Sequence, residues 1–392
     1  MLASLANPNN AYSRVRIGAY ALVSKGWDQL PEWTPRALPL DDARFAAYRA
    51  QKTGELPPLW DGRRPETMAG WVALGREVFF RYPLRSEVFL EHALERPELA
   101  ASVGLRHAPD GTWPGGVVFT DLEGRARVGI TCALCHTNVE GTALVVGRAH
   151  RSFDYGKLRL AYHHDTGAPV DPELARRMAV WGAGRADVTE DEAEDPVAIP
   201  DLFGLRAQPA LTQAGSILHV GPAALAIRQE TQLLHSNHQK IRPPRELAWA
   251  LAMFLYSIEP PEKRAANTAI AANSAHDEGK RLFSDGCASC HGNRVFSGPT
   301  VTAALVGTDP TFAQAGARGT GRYRPPALLR VADAAPYLHH GAVGSLEDLL
   351  SPARFSEEWV GPLGKGAVRG HEYGTALAAD KRALLVAYLR TL

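Results

Sequence analysis

Cys132-Ala133-Leu134-Cys135-His136 and Cys287-Ala288-Ser289-Cys290-His291 together hold all 4 cysteines of this 392-residue chain. Cys-x-x-Cys-His is the attachment spacing of c-type haem. The two thiols of each motif can form thioethers to one haem, and the following histidine then lies under the iron as its proximal ligand. Each competing use of cysteine fits worse. A structural zinc site gathers four ligands, with short gaps between its two knuckles, whereas more than a third of this chain separates the two motifs. A dithiol redox centre needs one pair in a βαβ context. A disulfide framework needs more cysteines in a smaller chain. The sequence therefore predicts two covalently bound haem c groups, held by Cys132, Cys135, His136, Cys287, Cys290 and His291, and a redox protein.

Working outward from the motifs gives the fold. Ser274 can cap a helix running through Glu278, Leu282 and Phe283 into the second motif. Leu384, Leu385, Tyr388, Leu389 and Leu392 form the apolar face of a closing helix over 378–392. A helix before the motif and an amphipathic helix at the end are the skeleton of a small cytochrome c domain. Before the first motif, Ala73–Phe80 has the same helical character. Leu247, Leu251, Phe254 and Leu255 recur at helical spacing over 243–258, and Pro260-Pro261 stops that helix. The long stretch between Phe80 and Cys132 carries turn signals at Pro109-Asp110-Gly111 and Pro114-Gly115-Gly116, so an inserted hairpin is expected there. The predicted fold is mainly α: two cytochrome c-like domains in tandem, the first enlarged by insertions. Residues 1–66 are an N-terminal arm with little periodicity. Residues 67–262 form the first haem domain and 273–392 the second, with a linker from Pro260 to Ser274.

Composition narrows the function. Lys and Arg number 43 against 42 Asp and Glu, a net charge of +1, which argues against a nucleic-acid surface or a polybasic membrane anchor. No apolar run reaches the ~20 residues of a spanning helix. The start, Met1-Leu2-Ala3-Ser4-Leu5-Ala6-Asn7, has no basic region followed by an apolar one. Haem attachment to this motif takes place outside the cytoplasm, so a periplasmic location is expected, with a leader or anchor missing from the start or the start codon misplaced.

The sixth position of each iron decides between electron transfer and chemistry. Every methionine precedes Cys287, so the second haem has no Met ligand from its own domain. Its candidates are His339, His340, His371, Tyr323, Tyr337 and Tyr373. His371 is favoured because Gly370 and Gly374 bracket its loop and permit close approach. The first haem has His150, His163, His164, His219, His235 and His238 in its domain. Glu230–His238 is the densest polar cluster, and Glu230 and His235 are candidates for handling a proton during O–O bond chemistry. Trp181 is a candidate for the electron path between the haems, and Arg185 beside it for a haem propionate.

With these residues in place, the chain resembles the bacterial di-haem cytochrome c peroxidase and methylamine-utilisation superfamily. The resemblance rests on the tandem motifs, on Leu74-Gly75-Arg76-Glu77-Val78-Phe79-Phe80, and on Tyr323–Val331, Ala335–Val343 and Ser345–Leu350. It covers 273–392 well and 70–262 loosely. Gly370-His371-Glu372-Tyr373-Gly374 and Ala387–Leu392 are similar to the rubber-oxygenase subgroup, which implies His371 as the second haem's distal ligand. Two features depart from the peroxidases. Their Met ligand is absent, and Leu59-Trp60-Asp61-Gly62-Arg63 precedes the first motif where their bridging Trp motif follows it, so Trp181 is the expected bridge. The resemblance implies reduction of hydrogen peroxide, or activation of peroxide or dioxygen against a substrate, at the first haem. The second haem would relay electrons from a small donor protein, a cytochrome c or a cupredoxin. A calcium ion is a possible addition, and the oligomeric state is undetermined. The competing reading is a non-catalytic di-haem electron carrier.

Overall fold

The computed structural model describes the chain except residues 22, 25–29, 188–195, 238–240 and 263–273, and except the side chains of Ala19, His235, Asn237, Ser274 and Ala275. Most of the expected linker therefore lies outside the described residues, as does the Ser274 cap. The fold is mainly helical, with short strands and one four-stranded sheet. Among the described residues no helix is long and apolar enough to cross a membrane.

Two helix pairs organise the molecule. In the first, the Met68–Arg81 helix begins at Thr67, whose side chain accepts from the Gly70 N–H. It crosses the Arg245–Ser257 helix. The crossing is so close that a Cβ at Gly75 would lie 1.9 Å from the Ala250 carbonyl oxygen. One turn further on, Phe79 packs on Phe254 with ring centroids 5.3 Å apart. In the second pair, the Ser274–Gly286 helix crosses the Ala379–Leu389 helix. A Cβ at Gly279 would lie 2.3 Å from the Leu384 carbonyl oxygen, and Phe283 packs on Tyr388 at 5.4 Å. The same device is used twice: a glycine brings two helix backbones together, and an aromatic four residues later fills the space beside it. Leu247, Leu251, Val78 and Phe79 are buried at the first crossing, Leu385 and Leu389 at the second. Each such side chain contributes about 1.5–3 kcal/mol when fully buried.

The insertion before the first motif is a sheet. Strands β1 (Arg36–Asp41), β2 (Arg85–Ser86), β3 (Thr112–Thr120) and β4 (Ala126–Ile130) are antiparallel in the order β1-β3-β4-β2. The expected hairpin exists, but its turn is Asp121–Arg125, where Asp121 accepts from the backbone of Glu123 and Arg125. Neither predicted turn signal makes that turn. Pro109-Asp110-Gly111 leads into β3, and Pro114-Gly115-Gly116 lies within it. Gly115 has φ +80°, and a Cβ there would lie 2.0 Å from the Leu134 nitrogen. The Gly115 carbonyl also accepts from Thr131 N–H at 2.9 Å. A glycine read as a turn thus lays the sheet against the first Cys-x-x-Cys-His segment.

The N-terminal arm is more ordered than its weak periodicity suggests. It supplies β1 and the Ala11–Ala19 helix, capped by Asn10, whose side chain accepts from Ser13 N–H. Its reach extends past the first half. Ala11 and Tyr12 donate to the carbonyls of Gly316 and Ala317, and the Asn7 and Asn10 amides donate to that of Gly319.

Candidate functional site

Ala133–His136 forms a single helical turn with Cys132 at its N-cap. Thr137 Oγ1 donates to the Ala133 carbonyl at 2.7 Å and closes the turn. His136 Nδ1 donates to the Pro200 carbonyl at 3.2 Å, which leaves Nε2 free for a metal. Burial pushes the Cys132 thiol up to about 11 and the Cys135 thiol to about 12. A redox dithiol needs the opposite, a thiol held low as thiolate. Burial also lowers His136 to about 4, against the pull of the Pro200 carbonyl and Asp201.

The second motif is built alike. Cys287 N–H donates to the Phe283 carbonyl, so the motif continues directly from the glycine-crossed helix. His291 Nδ1 donates to the Phe296 carbonyl at 2.8 Å, again freeing Nε2. Burial raises the Cys287 thiol to about 11. Cys287, Cys290 and His291 line a largely apolar cavity together with Leu346, Leu350 and Leu385.

His371 enters the same cavity. Its loop is fixed from behind. His371 N–H donates to the Val306 carbonyl at 2.7 Å, and the residue has φ +47°. Gly370 has φ +83°, and a Cβ there would lie 2.2 Å from Thr308 nitrogen. The fully buried Arg354 donates to the carbonyls of Gly370 (2.7 Å) and His371 (2.9 Å), and also to those of Leu349 and Val368. His371 is lowered to about 4 by burial first and then by the nearby His291. Its Nδ1 is shut from solvent without a hydrogen bond among the described residues. The other candidates are engaged elsewhere. Tyr323 donates to the Asp309 carbonyl and pairs with His339 Nε2, Tyr337 donates to the Val331 carbonyl, and His340 Nδ1 accepts from Ala342 N–H. Tyr373 stands edge-on to His371, 5.5 Å away, in the same cavity.

Between the motifs lies a segment that sequence reasoning missed. Pro200 accepts from His136 and also forms part of the wall of the second cavity. Arg151 braces it, donating to the Ile199 carbonyl and pairing with Asp201 at 3.0 Å. Asp201 also accepts from Ala149 N–H and faces Arg148. No motif marks Pro200; its position depends on tertiary contacts. Trp181, expected between the haems, is buried beside Tyr155 and Arg159. It is not among the residues lining the second cavity. Arg185 donates to the carbonyls of Val180 and Trp181 and packs on Gly341.

Glu230 is buried in an ionic network rather than on an open face. Burial raises its carboxyl, offset by Tyr20, Arg245 and Arg242. His235 lies on the Pro222–Asn237 helix, with its side chain outside the described residues; His238 is wholly outside them. His150 places both ring nitrogens on backbone carbonyls, and His219 bonds the Gln208 carbonyl and Tyr256. Among the described residues no three His, Cys, Asp or Glu side chains come together to hold a metal ion, so the calcium expectation finds no carboxylate cage among them. The donor sets do fit covalent haem: paired cysteines on a helical turn, a histidine with Nδ1 on a carbonyl, and, at the second motif, an apolar cavity closed by another histidine.

No family model matches the chain. The methylamine utilization protein MauG of Methylorubrum extorquens (strain ATCC 14718 / DSM 1338 / JCM 2805 / NCIMB 9133 / AM1) is 26% identical over 261 residues, which cover 60% of this chain. The match spans 66% of that protein, just under two thirds of its length. A MauG-like protein associated with microbial copper homeostasis is similar in structure at TM-score 0.38 and 18% identity, over 54% of this chain and 78% of that one. Hydrazine synthase from Kuenenia stuttgartiensis, solved under 20 bar xenon, is similar at TM-score 0.36 and 16% identity, over 56% of this chain and 79% of that one. The chain is thus distantly similar to MauG, in line with the methylamine-utilisation resemblance carried by its motifs.

Proposed function

We propose that this chain is a periplasmic di-haem c-type oxidoreductase with unequal sites. The first motif serves hydrogen peroxide reduction, or peroxide or dioxygen activation against a substrate. The second relays electrons from a small donor protein such as a cytochrome c or a cupredoxin. One observation carries the reading: His371 stands in the same largely apolar cavity as His291, with its Nδ1 shut from solvent and unbonded among the described residues. A haem iron, when bound, supplies a one-electron couple and, where a coordination position is open, a place for a small oxidant.

The chain's own residues divide the work. His136 and His291 would hold the haem irons through Nε2, and their Nδ1 bonds to the Pro200 and Phe296 carbonyls fix ring orientation for it. His371, held by Arg354, closes the second site to outside ligands. Pro200, shared by both sites, is the favoured link between them. Around the first site, His235 is the candidate for handling a proton. Glu230, whose carboxyl is raised by burial against the pull of Tyr20, is the second candidate for that role. The repeated glycine crossing supports two cytochrome c-like units, 67–262 and 273–392, with 1–66 as an arm across both.

Spectroscopy of the oxidised protein with a peroxide titration tests this. One low-spin population that ignores cyanide and one high-spin population that responds to cyanide and peroxide are expected. Two low-spin populations, both indifferent to peroxide and cyanide, would establish the electron-carrier reading instead.

A further inference from the structure

Tyr12 is 5% exposed, and three guanidinium groups surround its ring. Arg16 lies 3.0 Å from the ring centroid, Arg318 4.6 Å and Arg228 5.9 Å. They come from three distant parts of the chain: the Ala11–Ala19 helix, the Pro222–Asn237 helix and the second-half loop that meets the N-terminal arm. Arg16 is 2% exposed and Arg318 5%, while Arg228 is half-buried. Buried like charges repel, and each carries a desolvation penalty of several kcal/mol unless an anion offsets it.

Two other buried arginines in this protein are well supplied with acceptors. Arg148 lies 3.0 Å from Glu140 and 3.3 Å from Asp201, and Arg354 is bonded to backbone carbonyls. Arg16 and Arg228 have no ion pair among the described residues. Arg16 reaches Thr231 Oγ1 and the Tyr12 carbonyl, but its Nη2 has no partner among the described residues. Arg228 Nη1 and Tyr12 Oη are likewise shut from solvent without a hydrogen bond. Buried polar atoms are nearly always satisfied. Three orphaned donors gathered around one buried ring call for a partner with several acceptor oxygens, an anion.

The position says which one. Tyr12 belongs to the hydrophobic cluster that contains Ala133, and Cys132 packs against that cluster. Arg228 is also the cation whose charge acts on both Cys132 and His136. We propose that Tyr12, Arg16 and Arg228 form the seat for the propionate carboxylates of a haem attached at Cys132 and Cys135. Arg318 flanks that seat from the second half, and filling it fastens the N-terminal arm to the first motif. The proposal rests on the reading that the first motif carries a haem. Carboxylate and guanidinium pair bidentately, with charge-assisted hydrogen bonds about twice as strong as neutral ones. This would explain why an arm of weak local propensity is ordered.

The experiment compares the holoprotein with Arg16→Gln, Arg228→Gln and the milder Tyr12→Phe, which removes only Oη. Mass analysis of the peptide carrying Cys132 and Cys135 first establishes that haem is attached. If wild-type protein lacks haem there, the di-haem reading fails, and this proposal with it, by a result separate from those below. With haem present, each variant should shift the propionate bending bands of the first-site haem in resonance Raman and leave the second-site bands alone. Proteolysis within residues 1–20 should speed up roughly tenfold in the arginine variants, as loss of a charged hydrogen bond predicts. Unchanged propionate bands in all three variants, with haem attached, would overturn the proposal. So would a wild-type arm whose protection depends on added inorganic phosphate while the propionate bands stay constant, because a free anion would then fill the seat.

Discussion

Arg354 donates to the carbonyl oxygen of His371 at 2.9 Å, and with three further carbonyls it determines where that histidine stands. A lysine keeps the charge but cannot reach four carbonyls from one planar group. Arg354→Lys should therefore loosen His371 without removing it. The second site should become a temperature-dependent mixture of low- and high-spin forms, with the fold weakened by about 2–4 kcal/mol through several lost charged hydrogen bonds. His371→Ala should give a fully altered second site. Electronic spectra of both variants between cold and ambient temperature check this. Unaltered spectra in His371→Ala would remove His371 from the second site.

Gly75 and Gly279 have no room for a side chain. A Cβ would lie 1.9 Å from the Ala250 carbonyl oxygen in one case and 2.3 Å from that of Leu384 in the other. Alanine at either position must push two helices apart, at a cost of about 1–3 kcal/mol. The damage should be local: Gly75→Ala should lower haem attachment at Cys132 and Cys135, and Gly279→Ala at Cys287 and Cys290. Peptide mass mapping separates the two sites. Equal loss at both sites in both variants would mean that the two crossings do not act independently.

This pair also marks how far the sequence could be read. Gly75-Arg76-Glu77-Val78-Phe79 and Gly279-Lys280-Arg281-Leu282-Phe283 share Gly-x-x-x-Phe, a repeat visible in the letters, but its meaning appears only when each glycine meets a carbonyl. The four helices were legible because apolar periodicity and Pro stops are local signals. The close approach of the His371 loop to the second motif's cavity was legible because glycines bracket it. Pro200 and Arg354 were not, since backbone carbonyls define their roles and carbonyls leave no trace in sequence. The sheet was misjudged for a related reason: Gly115 looks like a turn residue but serves a close approach to Leu134. The arm looked unstructured because what holds it, Gly316, Ala317 and Gly319, lies about 300 positions away.

The β3–β4 turn should give the protein an acid-sensitive component of stability. The Asp121 side chain is 6% exposed. Burial alone would raise its carboxyl, but the backbone N–H of Arg125 and the guanidinium groups of Arg127 and Arg125 outweigh that and bring it down to about 2. A depressed folded-state value stabilises the fold above the unfolded value of ~3.9 and is lost as pH falls toward the folded value. Arg125 is 60% exposed, so solvent screening reduces the contribution to about 1–2 kcal/mol. Asp121→Asn should be less stable than wild type by that amount at pH 7, with the gap closing between pH 4 and about 2. Denaturant unfolding at pH 7, 4 and 3 measures it. A gap that stays constant across this range would place the stabilisation in the turn's neutral hydrogen bonds.

Trp181 tests the route between the two sites. Its indole packs beside Tyr155 and Arg159, its Nε1 has no hydrogen bond among the described residues, and it is absent from the wall of the second cavity. Pro200 is in that wall, and its carbonyl holds His136. Trp181→Phe keeps an aromatic ring at the site and loses part of the indole's volume together with an N–H that bonds nothing described, so the fold should survive at a cost of about 1–2 kcal/mol. Electron transfer between the sites, followed after rapid one-electron reduction, should run at the wild-type rate. Pro200→Ala retains the carbonyl but frees the backbone that presents it, so it should slow the same transfer while both haems stay attached. A slowed Trp181→Phe beside an unaffected Pro200→Ala would move the route to the indole.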